Sequence, residues 1–471
     1  MRGVWPVSEV RAAEAALMAR LPDGALMQRA AAGLAVHCGR LLDGVYGSTV
    51  VLLVGSGDNG GDALYAGERL AGAGASVRAV LLNPERAHRA GLAAFRAAGG
   101  RVGRAEDLDD ADLVVDGILG IGGRGGLRPD AAALAHAAYG RITVAVDLPS
   151  GVDADTGAVE GDAIRADATV AFGALKPGLV SGPGAERAGD LHLVDIGLEP
   201  ELAPARTFVL EEPDVAALLP VPGPADDKYT RGVVGVVAGS PAYPGAGLLA
   251  TGAARHGGAG FVRYLGRAPD GIRAAYPDVV VQADTKPSDA HVQSWVVGPG
   301  LGTDDPARAL LEDVLRADVP VLVDADGITL LAQTPGRLAD REAPTVLTPH
   351  DREFARVAGD VGADRIGAAR RAAAELGTTV LLKGNATVVA APDGRAYVNP
   401  TGTPWLGTAG SGDVLSGLIG ALLASGLEAP LAAAVGAYVH GVAGQLAGSN
   451  GPPSASDVLD EIRTAWLGIE A

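Results

Sequence analysis

Residues 48–60 read Ser48-Thr-Val-Val-Leu-Leu-Val54 and then Gly55-Ser-Gly-Asp-Asn-Gly60, and this stretch decides the fold class. The first part is apolar and rich in β-branched residues, which predicts a strand buried on both faces. The second part has the G-x-G-x-x-G spacing, and a helical pattern from about Asp62 to Ala73 follows it. A strand, a glycine turn and a helix in this order predict one unit of a parallel α/β sheet.

The same alternation of apolar runs and helical segments continues on both sides of this stretch. An amphipathic, Ala-rich segment precedes it at Ser8–Leu42 and predicts helix. Further strands of the first half are predicted at Ser76–Leu82, Asp112–Asp116 and Ile142–Asp147. Gly, Pro or Asp bounds each strand, and helical segments separate them. We therefore predict a parallel sheet with helices on both faces.

A proline-rich stretch between Leu198 and Asp227 marks a domain boundary, which we place near residue 206. We accordingly predict one domain over residues 1–206 and a second over residues 207–471. The second domain repeats the strand–helix alternation, which again predicts an α/β fold. Its predicted strands and final helices are Gly232–Ala238, Ser294–Val297, Val319–Asp324, Thr345–Thr348, Thr379–Lys383, Ala386–Ala390, Val414–Ala424 and Pro430–Ala447.

The composition of the 471 residues excludes several classes of protein. Lys and Arg number 38 against 56 Asp and Glu, and the net charge of −18 is not that of a nucleic-acid binder or a polybasic membrane binder. The single cysteine, Cys38, rules out an internal disulfide and a cysteine-based zinc site, and we interpret it as a buried apolar residue. Because neither a signal peptide nor an apolar span of about 18 residues is present, we expect a soluble, cytoplasmic protein.

Polar residues follow three predicted strands of the first domain. Asn59 and Asp62 stand beside the glycines, Asp116 precedes a glycine-dense loop that carries Arg124, and Asp147 ends a third strand. The carboxyl ends of parallel strands share one edge of a sheet, so these groups predict a pyrophosphate site with an acid–base carboxylate. Taken singly, the first glycine motif is also compatible with a tight turn, the second glycine loop with a surface loop, and Asp147 with a helix cap. No acidic residue follows about 20 positions on, as a dehydrogenase fingerprint would require.

These motifs resemble the NAD(P)H-hydrate epimerase family. The resemblance rests on Gly57-Asp-Asn-Gly-Gly-Asp62, the loop after Asp116, Asp147-Leu-Pro-Ser-Gly151 and Phe172-Gly-Ala-Leu-Lys-Pro-Gly178. It implies a Rossmann-like three-layer fold and an activity on hydrated, damaged nicotinamide cofactors. Two departures stand out, because the family usually has Asn at the position of Asp58 and Gly at the position of Ala63.

The same resemblance implies roles for individual residues. Asp147 would be the catalytic residue, and oxygen atoms of Asn59, Asp116 and Ser150 would hold a potassium ion, since oxygen ligands suit a hard cation. Contacts with the hydrated cofactor are implied for Asp58, Asn59, Gly60, Gly61, Asp62, Gly120, Ile121, Gly122, Gly123, Arg124, Gly125, Gly126 and Asp147.

The second domain carries the sequence Thr408-Ala-Gly-Ser-Gly-Asp413 directly before a predicted helix. Amide groups at a helix N-terminus form an anion hole, and a carboxylate base beside it suits phosphoryl transfer to a hydroxyl. A helix cap by Ser411 or Asp413 is the alternative. Lys383 and His350 each end a predicted strand, where they could bind ligand or serve as a surface lysine and a structural histidine. The P-loop motif is absent from the chain.

These motifs resemble the ribokinase-like domain of ADP- or ATP-dependent NAD(P)H-hydrate dehydratases. The supporting motifs are Gly239-Ser-Pro-Ala-Tyr-Pro-Gly-Ala246, Gly298-Pro-Gly-Leu-Gly302, Thr348-Pro-His350, Lys383-Gly-Asn-Ala-Thr387 and Gly410-Ser-Gly-Asp413. The resemblance implies hydrate contacts by Ala246, Gly300, His350 and Asp413, the last being catalytic. It implies contacts with ADP by Lys383, Gly384, Asn385, Ala386, Thr387 and Gly412. The residues after His350 and the presence of Trp405 depart from the usual pattern.

Both resemblances together, in this order, match a fused bifunctional repair enzyme. It would epimerise the R and S hydrates and dehydrate the S form, with ADP or ATP, K⁺ and Mg²⁺ as cofactors. We also expect a homo-oligomer with neither nucleic acid nor membrane as a partner. Two alternatives stay open: a hydroxymethylpyrimidine-like small-molecule kinase with a nucleotide-binding N-terminal domain, and a binding protein that has lost epimerase turnover.

Overall fold

The computed structural model describes residues 1–338, 341–449 and 451–470, and it divides into two compact units. Residues Gly3–Arg206 form the N-terminal unit. Met1 and Arg2, together with the chain from Thr207 onward, form the C-terminal unit. Arg2 is tied into the C-terminal unit by an ion pair with Glu211.

The N-terminal unit is built on a seven-stranded parallel sheet. The strands of the chain up to residue 206 are β1 (Arg2–Val4), β2 (Thr49–Val54), β3 (Ser76–Leu81), β4 (Arg101–Val102), β5 (Leu113–Gly117), β6 (Thr143–Val146), β7 (Ala168–Phe172) and β8 (Asp190–Val194). The order across the sheet is β4-β3-β2-β5-β6-β7-β8. The direction of winding reverses between β2 and β5, and in open parallel sheets the crevice at such a reversal is where ligands bind.

Helices cover both faces of this sheet. They are α1 (Val7–Met18), α2 (Ala25–Leu41), α3 (Asp58–Gly72), α4 (Arg89–Ala97), α5 (Pro129–Ala138), α6 (Pro177–Val180) and α7 (Gly182–Ala188), with short 3₁₀ turns at Ala105–Asp110 and Glu199–Glu201. Leu52 and Leu53 are neighbours on β2 and point to opposite faces, yet both are fully buried, in two separate apolar clusters. The unit is therefore a three-layer α/β/α sandwich, as the sequence predicts.

The C-terminal unit contains the second sheet. Its strands are β9 (Thr207–Val209), β10 (Val233–Val237), β11 (Phe261–Tyr264), β12 (Val280–Val281), β13 (Ser294–Val297), β14 (Val321–Val323), β15 (Thr345–Leu347), β16 (Thr379–Leu382), β17 (Val388–Ala390) and β18 (Ala396–Val398). The order is β1-β9-β18-β17-β16-β15-β14-β13-β10-β11-β12. The strands from β16 to β12 along this order are parallel, whereas β16, β17 and β18 form an antiparallel meander.

Helices again lie on both faces of the second sheet. They are α8 (Glu212–Leu218), α9 (Pro244–His256), α10 (Pro269–Ala275), α11 (Asp305–Leu315), α12 (Asp326–Leu331), α13 (Asp351–Ala358), α14 (Arg365–Leu376), α15 (Ser411–Ala424), α16 (Ala429–Ser449) and α17 (Ala455–Glu470), with 3₁₀ turns at Pro287–Asp289, Pro335–Arg337 and Pro404–Leu406. Every residue of α15 from Val414 to Ala424 is buried. In the part of the chain that the structure describes, no helix combines the length and the apolar character needed to cross a bilayer.

Two details of the predicted helices are wrong, for local reasons. The single helix predicted over Ser8–Leu42 is two helices, because Pro22 and Gly24 interrupt it and Gly24 adopts a positive φ of 77°. The helix predicted from about Asp62 begins at Asp58 instead. The polar residues of the glycine motif therefore belong to the first turn of α3.

A glycine on α15 tests how tightly the helices of the C-terminal unit pack. A Cβ atom added to Gly417 would lie 2.0 Å from the Ala250 carbonyl oxygen of α9. We expect Gly417→Ala to lower the free energy of unfolding by about 1–3 kcal/mol in urea titrations, since overpacking forces the backbones apart. Gly468→Ala in α17 is the matched control, because its Cβ would meet nothing within 4 Å. There a gain of up to about 1 kcal/mol is expected from helix propensity. Equal effects of the two substitutions would contradict this account of the packing.

Candidate active sites

The first candidate site lies at the carboxyl ends of β2, β5 and β6. Asp116, near the end of β5, is fully buried, and its carboxylate accepts hydrogen bonds from the Ser150 hydroxyl at 2.6 Å and the Ser150 amide at 2.8 Å. The Ile118 amide also donates to it, at 3.2 Å. Burial raises the pKa of Asp116 to about 6, although these hydrogen bonds oppose the rise.

Asn59 reaches the same strand ends from the first turn of α3. Its side-chain nitrogen donates to the Val146 carbonyl at the end of β6, at 2.8 Å. The side-chain oxygen faces the loop after β5, where a Cβ atom at Gly120 would lie 2.6 Å from it. The structure thus brings Asn59, Asp116 and Ser150 to one edge of the sheet. The hydroxyl of Ser150 also lies 3.2 Å from the Leu119 carbonyl, so an amide, a carboxylate, a hydroxyl and a carbonyl oxygen are all present there.

A buried ion pair between Asp147 and Lys176 forms the second part of this site. The Lys176 ammonium donates to Oδ1 of Asp147, and the Phe172 amide donates to the same oxygen at 3.0 Å. Lys176 is only 1% exposed, and a lysine buried to this degree requires a charged partner. Asp147 has a φ of 66°, a strained conformation for a residue other than glycine, which persists only where the surrounding structure holds it. Both bonds go to Oδ1, which leaves Oδ2 for a ligand.

Further carboxylates surround Asp147. Burial raises the pKa of Asp62 well above its usual value, and the charges of Asp147, Asp58 and Glu14 raise it further. Glu14, which α1 contributes, also has a raised pKa, first because of burial and then because of Asp147. These carboxyl groups therefore hold a proton more readily than free carboxyl groups do, beside the Asp147–Lys176 pair. Asp58 adds to the negative charge, at the position where the epimerase pattern has Asn.

The glycine-rich loop of residues 120–126 follows β5 at the same edge of the sheet. Its Arg124 is exposed, and within the described ranges it forms no ion pair. The structure therefore places this loop beside the site but does not bring Arg124 onto Asp147. Arg11 of α1 holds the loop through a hydrogen bond to the Ile121 carbonyl at 3.3 Å.

The second candidate site lies at the N-terminus of α15, in the C-terminal unit. Gly410 occupies the cap position with a φ of 93°, a conformation that favours glycine. Neither Ser411 nor Asp413 caps the helix; the Ser411 hydroxyl donates instead to the Leu406 carbonyl at 2.6 Å. Of the first three amides of α15, that of Ser411 donates to the Thr408 carbonyl at 3.3 Å and that of Asp413 to the Gly410 carbonyl at 3.0 Å, so the amide of Gly412 is the one left open to an anion. Burial and, after it, the charge of Asp324 raise the pKa of Asp413 to about 7, although Lys383 opposes the rise.

Lys383 lies directly beside the N-terminus of α15. A Cβ atom at Gly412 would be 3.1 Å from the Lys383 ammonium nitrogen. That nitrogen is 2.6 Å from Oδ1 of Asp324, whose Oδ2 accepts a hydrogen bond from Ser416 at 2.8 Å. Burial alone would lower the pKa of Lys383, but Asp324, Glu353 and Asp413 outweigh it and raise the pKa. The lysine is a fixed cation and not the solvated surface side chain of the alternative interpretation.

The remaining segments predicted to bind ADP and the hydrate lie at the same edge of the second sheet. The loop from Lys383 to Thr387 is closed by a hydrogen bond from the Thr387 hydroxyl to the Gly384 carbonyl at 2.9 Å. Arg365 supports it with a bond to the Lys383 carbonyl at 2.7 Å. Ala246 and Gly300 are also brought together, since a Cβ atom at Gly300 would lie 2.6 Å from the Ala246 Cβ.

His350 has a structural role in addition to any ligand contact. Its Nδ1 accepts hydrogen bonds from the amides of Arg352 and Glu353, at 3.1 and 3.3 Å, and so caps α13. Its Nε2 lies 3.5 Å from a carboxylate oxygen of Glu353, and half of the side chain is exposed. Nδ1 therefore has the structural role that the alternative interpretation of His350 predicts, whereas Nε2 remains at the surface.

Four residues of these sites were missed at the level of sequence: Glu14, Lys176, Asp324 and Ser416. Asp324 is the last residue of the predicted strand Val319–Asp324, just as Asp147 is the last residue of its own predicted strand. An acidic residue at a strand end was therefore a signal that could have identified Asp324. Lys176 was visible inside the motif Phe172-Gly-Ala-Leu-Lys-Pro-Gly178, in a chain with very few lysines. No local pattern points to Glu14 or Ser416, because their roles depend on how α1 and α15 pack.

The fold and the two sites define a class of enzyme that acts on phosphorylated small molecules, with one α/β unit of Rossmann strand order and one ribokinase-like unit. Residues 23–178 match the family model described as the YjeF-related protein N-terminus, and residues 234–463 match the model for NAD(P)H-hydrate dehydratase. The chain is 53% identical to the bifunctional NAD(P)H-hydrate repair enzyme Nnr of Mycobacterium leprae, over 100% of both chains. It is 40% identical to the enzyme of the same name from Gloeobacter violaceus, over 93% of this chain and 92% of that one. The chain therefore belongs to the family of bifunctional NAD(P)H-hydrate repair enzymes.

Solved structures resemble the C-terminal unit. The ADP/ATP-dependent NAD(P)H-hydrate dehydratase of Bacillus subtilis, co-crystallised with ATP and Mg²⁺, is 32% identical with a TM-score of 0.50, over 56% of this chain and 98% of that one. A ribokinase-like superfamily protein from Enterococcus faecalis has a TM-score of 0.52 at 23% identity, over 57% of this chain and 99% of that one, and shows the shared fold. The predicted ribokinase-like fold is confirmed.

Proposed function

We propose that this chain repairs hydrated NADH and NADPH at two separate sites. The N-terminal unit interconverts the R and S hydrates, and the C-terminal unit returns the S hydrate to the reduced cofactor with ADP. One observation carries the proposal: Asp413, with a pKa of about 7, stands in the first turn of α15, beside the open amide of Gly412 and near the cation Lys383. A base, an anion hole and a fixed cation together are what phosphoryl transfer to a hydroxyl requires.

The dehydration can be written with these groups in two balanced steps. Asp413 accepts the proton of the hydrate's hydroxyl as the β-phosphoryl group of ADP moves to that oxygen, and AMP is released. Phosphate then leaves the same carbon with the electron pair of the C–O bond, and a neighbouring carbon loses a proton to the departing phosphate, which restores the ring double bond. The amides of α15 and the Lys383 ammonium stabilise the charge on the phosphoryl oxygens. Ala246, Gly300 and His350 are proposed to hold the hydrate, and the loop from Lys383 to Thr387 the nucleotide.

Magnesium is proposed to enter with the nucleotide. Among the residues that the structure describes, no group of three or more His, Cys, Asp and Glu side chains could hold a metal ion. Mg²⁺ is commonly bound by substrate phosphates and one or two carboxylates, and it does not require a complete protein cage. Bound there, the ion would offset the negative charge of the phosphates.

In the N-terminal unit, Asp147 is proposed to contact the hydrate and exchange a proton with it. Lys176 and the Phe172 amide fix Oδ1, so Oδ2 is the atom that would accept the proton. The raised pKa of Asp62 and that of Glu14 make both carboxyl groups better able to hold a proton in the same cluster. The glycines of residues 60–61 and 120–126 allow backbone amides to approach the pyrophosphate of the cofactor.

A potassium ion at Asn59, Asp116 and Ser150 is proposed for the same unit. The donors fit such an ion, because the free oxygen of Asn59, the buried carboxylate of Asp116 and the Ser150 hydroxyl lie at one edge of the sheet. They supply one formal negative charge among neutral oxygens, which suits a monovalent cation. The ion would contribute a fixed positive charge for the anionic cofactor.

Our first prediction for this function concerns Asp413. We expect Asp413→Asn to lower the rate of ADP-dependent dehydration by about 10²-fold or more, because the general base is lost. The dissociation constant for ADP, measured by calorimetry, should change little, since the amides of Gly410–Gly412 remain. Turnover near that of the wild type would contradict the role. Phosphorylation of a pyrimidine alcohol, with no loss of hydrate, would instead favour a small-molecule kinase.

A second prediction follows from the separation of the sites into two units. Asp147→Ala should stop the interconversion of R and S hydrates, which chromatography of the two epimers measures directly, and leave dehydration of the S hydrate unchanged. Because the alanine leaves Lys176 buried without its partner, Asp147→Asn serves as a control that keeps the size of the side chain. If a folded Asp147 variant also lost dehydration, the two sites would not be independent.

The third prediction concerns removal of potassium. After exhaustive dialysis into tetramethylammonium buffer, epimerisation should slow and then recover on titration with KCl, because the cation site at Asp116 is refilled. Asp116→Asn removes the one formal charge and should weaken the dependence on K⁺. A rate that is unchanged throughout, or that only Mg²⁺ restores, would argue against a potassium site.

A further inference from the structure

Asp324 connects three elements around the N-terminus of α15. It follows β14 directly, and its carboxylate is only 1% exposed. Oδ1 lies 2.6 Å from the ammonium of Lys383, which follows β16, and Oδ2 accepts a hydrogen bond at 2.8 Å from Ser416 of α15. The Ser416 hydroxyl is also 3.0 Å from the Gly412 carbonyl, in the first turn of the same helix. Both carboxylate oxygens are therefore engaged, by two elements that are distant in sequence.

The backbone around Asp324 is held as firmly as its side chain. The Asp324 amide donates to the Val297 carbonyl at 3.1 Å, and its own carbonyl accepts from the Gly327 amide at 2.9 Å. The next residue, Ala325, has a φ of 49°, which is strained for alanine. Strain of this kind persists only where the surrounding contacts hold it, and it clusters at functional sites.

Asp324 also belongs to the set of charges that face Asp413. Asp324 and Asp326, at the start of α12, and Glu353 of α13 are negative, whereas Lys383 is the positive group. Burial is the largest cause of the raised pKa of Asp413, and Asp324 is the largest of the charges. Removal of the Asp324 charge would therefore lower the pKa of Asp413.

We propose that Asp324 is a positioning residue of the dehydratase site, which ties Lys383 to α15 and keeps its ammonium beside Gly412. This inference rests on the proposed function, because Gly412 and Lys383 are the groups that would meet the phosphates of ADP. Asp324 itself touches neither the nucleotide nor the hydrate in this scheme. It acts indirectly: it orients the Lys383 side chain, and its charge influences the protonation of Asp413.

A pair of variants separates these two effects. Asp324→Asn keeps the shape of the side chain but removes its charge, whereas Ser416→Ala keeps the charge and removes only the link to α15. For Asp324→Asn we expect the KM for ADP to rise by about tenfold or more, since a buried charge pair is broken. We also expect the acid limb of the pH–rate profile to move to lower pH. For Ser416→Ala we expect a smaller rise in KM and an unmoved acid limb.

Three measurements distinguish a failure of the positioning role of Asp324 from a failure of the proposed function. ADP affinity is measured by titration calorimetry without hydrate, so weaker binding by Asp324→Asn supports the positioning role even if the protein fails to turn over hydrate. Epimerase activity and the midpoint of thermal unfolding report whether each variant is folded. Wild-type ADP affinity together with an unmoved acid limb in Asp324→Asn would overturn the proposal. A fall in kcat and in the unfolding midpoint, with affinity and acid limb unchanged, would also overturn it, because it would show a structural role alone.

Discussion

A carboxylate at the end of a buried strand must find a partner, and the two sites of this protein are built around that constraint. Asp116 lies near the end of β5, and Asp147 and Asp324 directly follow β6 and β14, at positions where water is largely excluded. A carboxylate in such a place is destabilising unless hydrogen bonds or a cation satisfy it. Ser150 meets Asp116, Lys176 meets Asp147 and Lys383 meets Asp324. Each partner comes from another part of the chain, so the sites form only when the sheets form.

The same burial gives the two units different electrostatic characters. In the N-terminal unit, one lysine faces several carboxylates, and burial raises the pKa of Asp62 and Glu14. That site is suited to moving protons, which is what inversion at a hydrated ring carbon requires. In the C-terminal unit, Lys383 and the amides of α15 provide a positive pole, with Asp413 on the first turn of the helix. That site is suited to phosphate chemistry, because the base and the anion hole lie side by side.

Sequence patterns predict the strand-end positions well, because apolar runs that stop at Gly or Asp are local signals. The strand at Ser294–Val297 is predicted to the residue, and the predicted helix Val414–Ala424 lies within α15. The short strands β11, β12 and β18 were not predicted, and neither were the five-residue strands β7 and β8.

Long-range partnerships could not be predicted from the sequence in the same way. The bond between Asp324 and Ser416 joins residues 92 positions apart, and its existence depends on the packing of α15 across β14. The positive φ of Asp147 likewise follows from the fold around it and not from its own residue type. Resemblance to known motifs predicts which residues face the ligands, whereas the structure shows which residues hold those positions in place.

The central claim is that one chain carries two complementary sites, so that neither epimer of the hydrate escapes repair. The most direct measurement follows an equilibrated mixture of R and S hydrates with excess ADP, over a time in which the hydrates alone do not interconvert. The two-site account predicts recovery of the full reduced-nicotinamide absorbance, with one AMP and one phosphate formed for each cofactor restored. Recovery that stops at the S fraction, or AMP formed without restored cofactor, would contradict it.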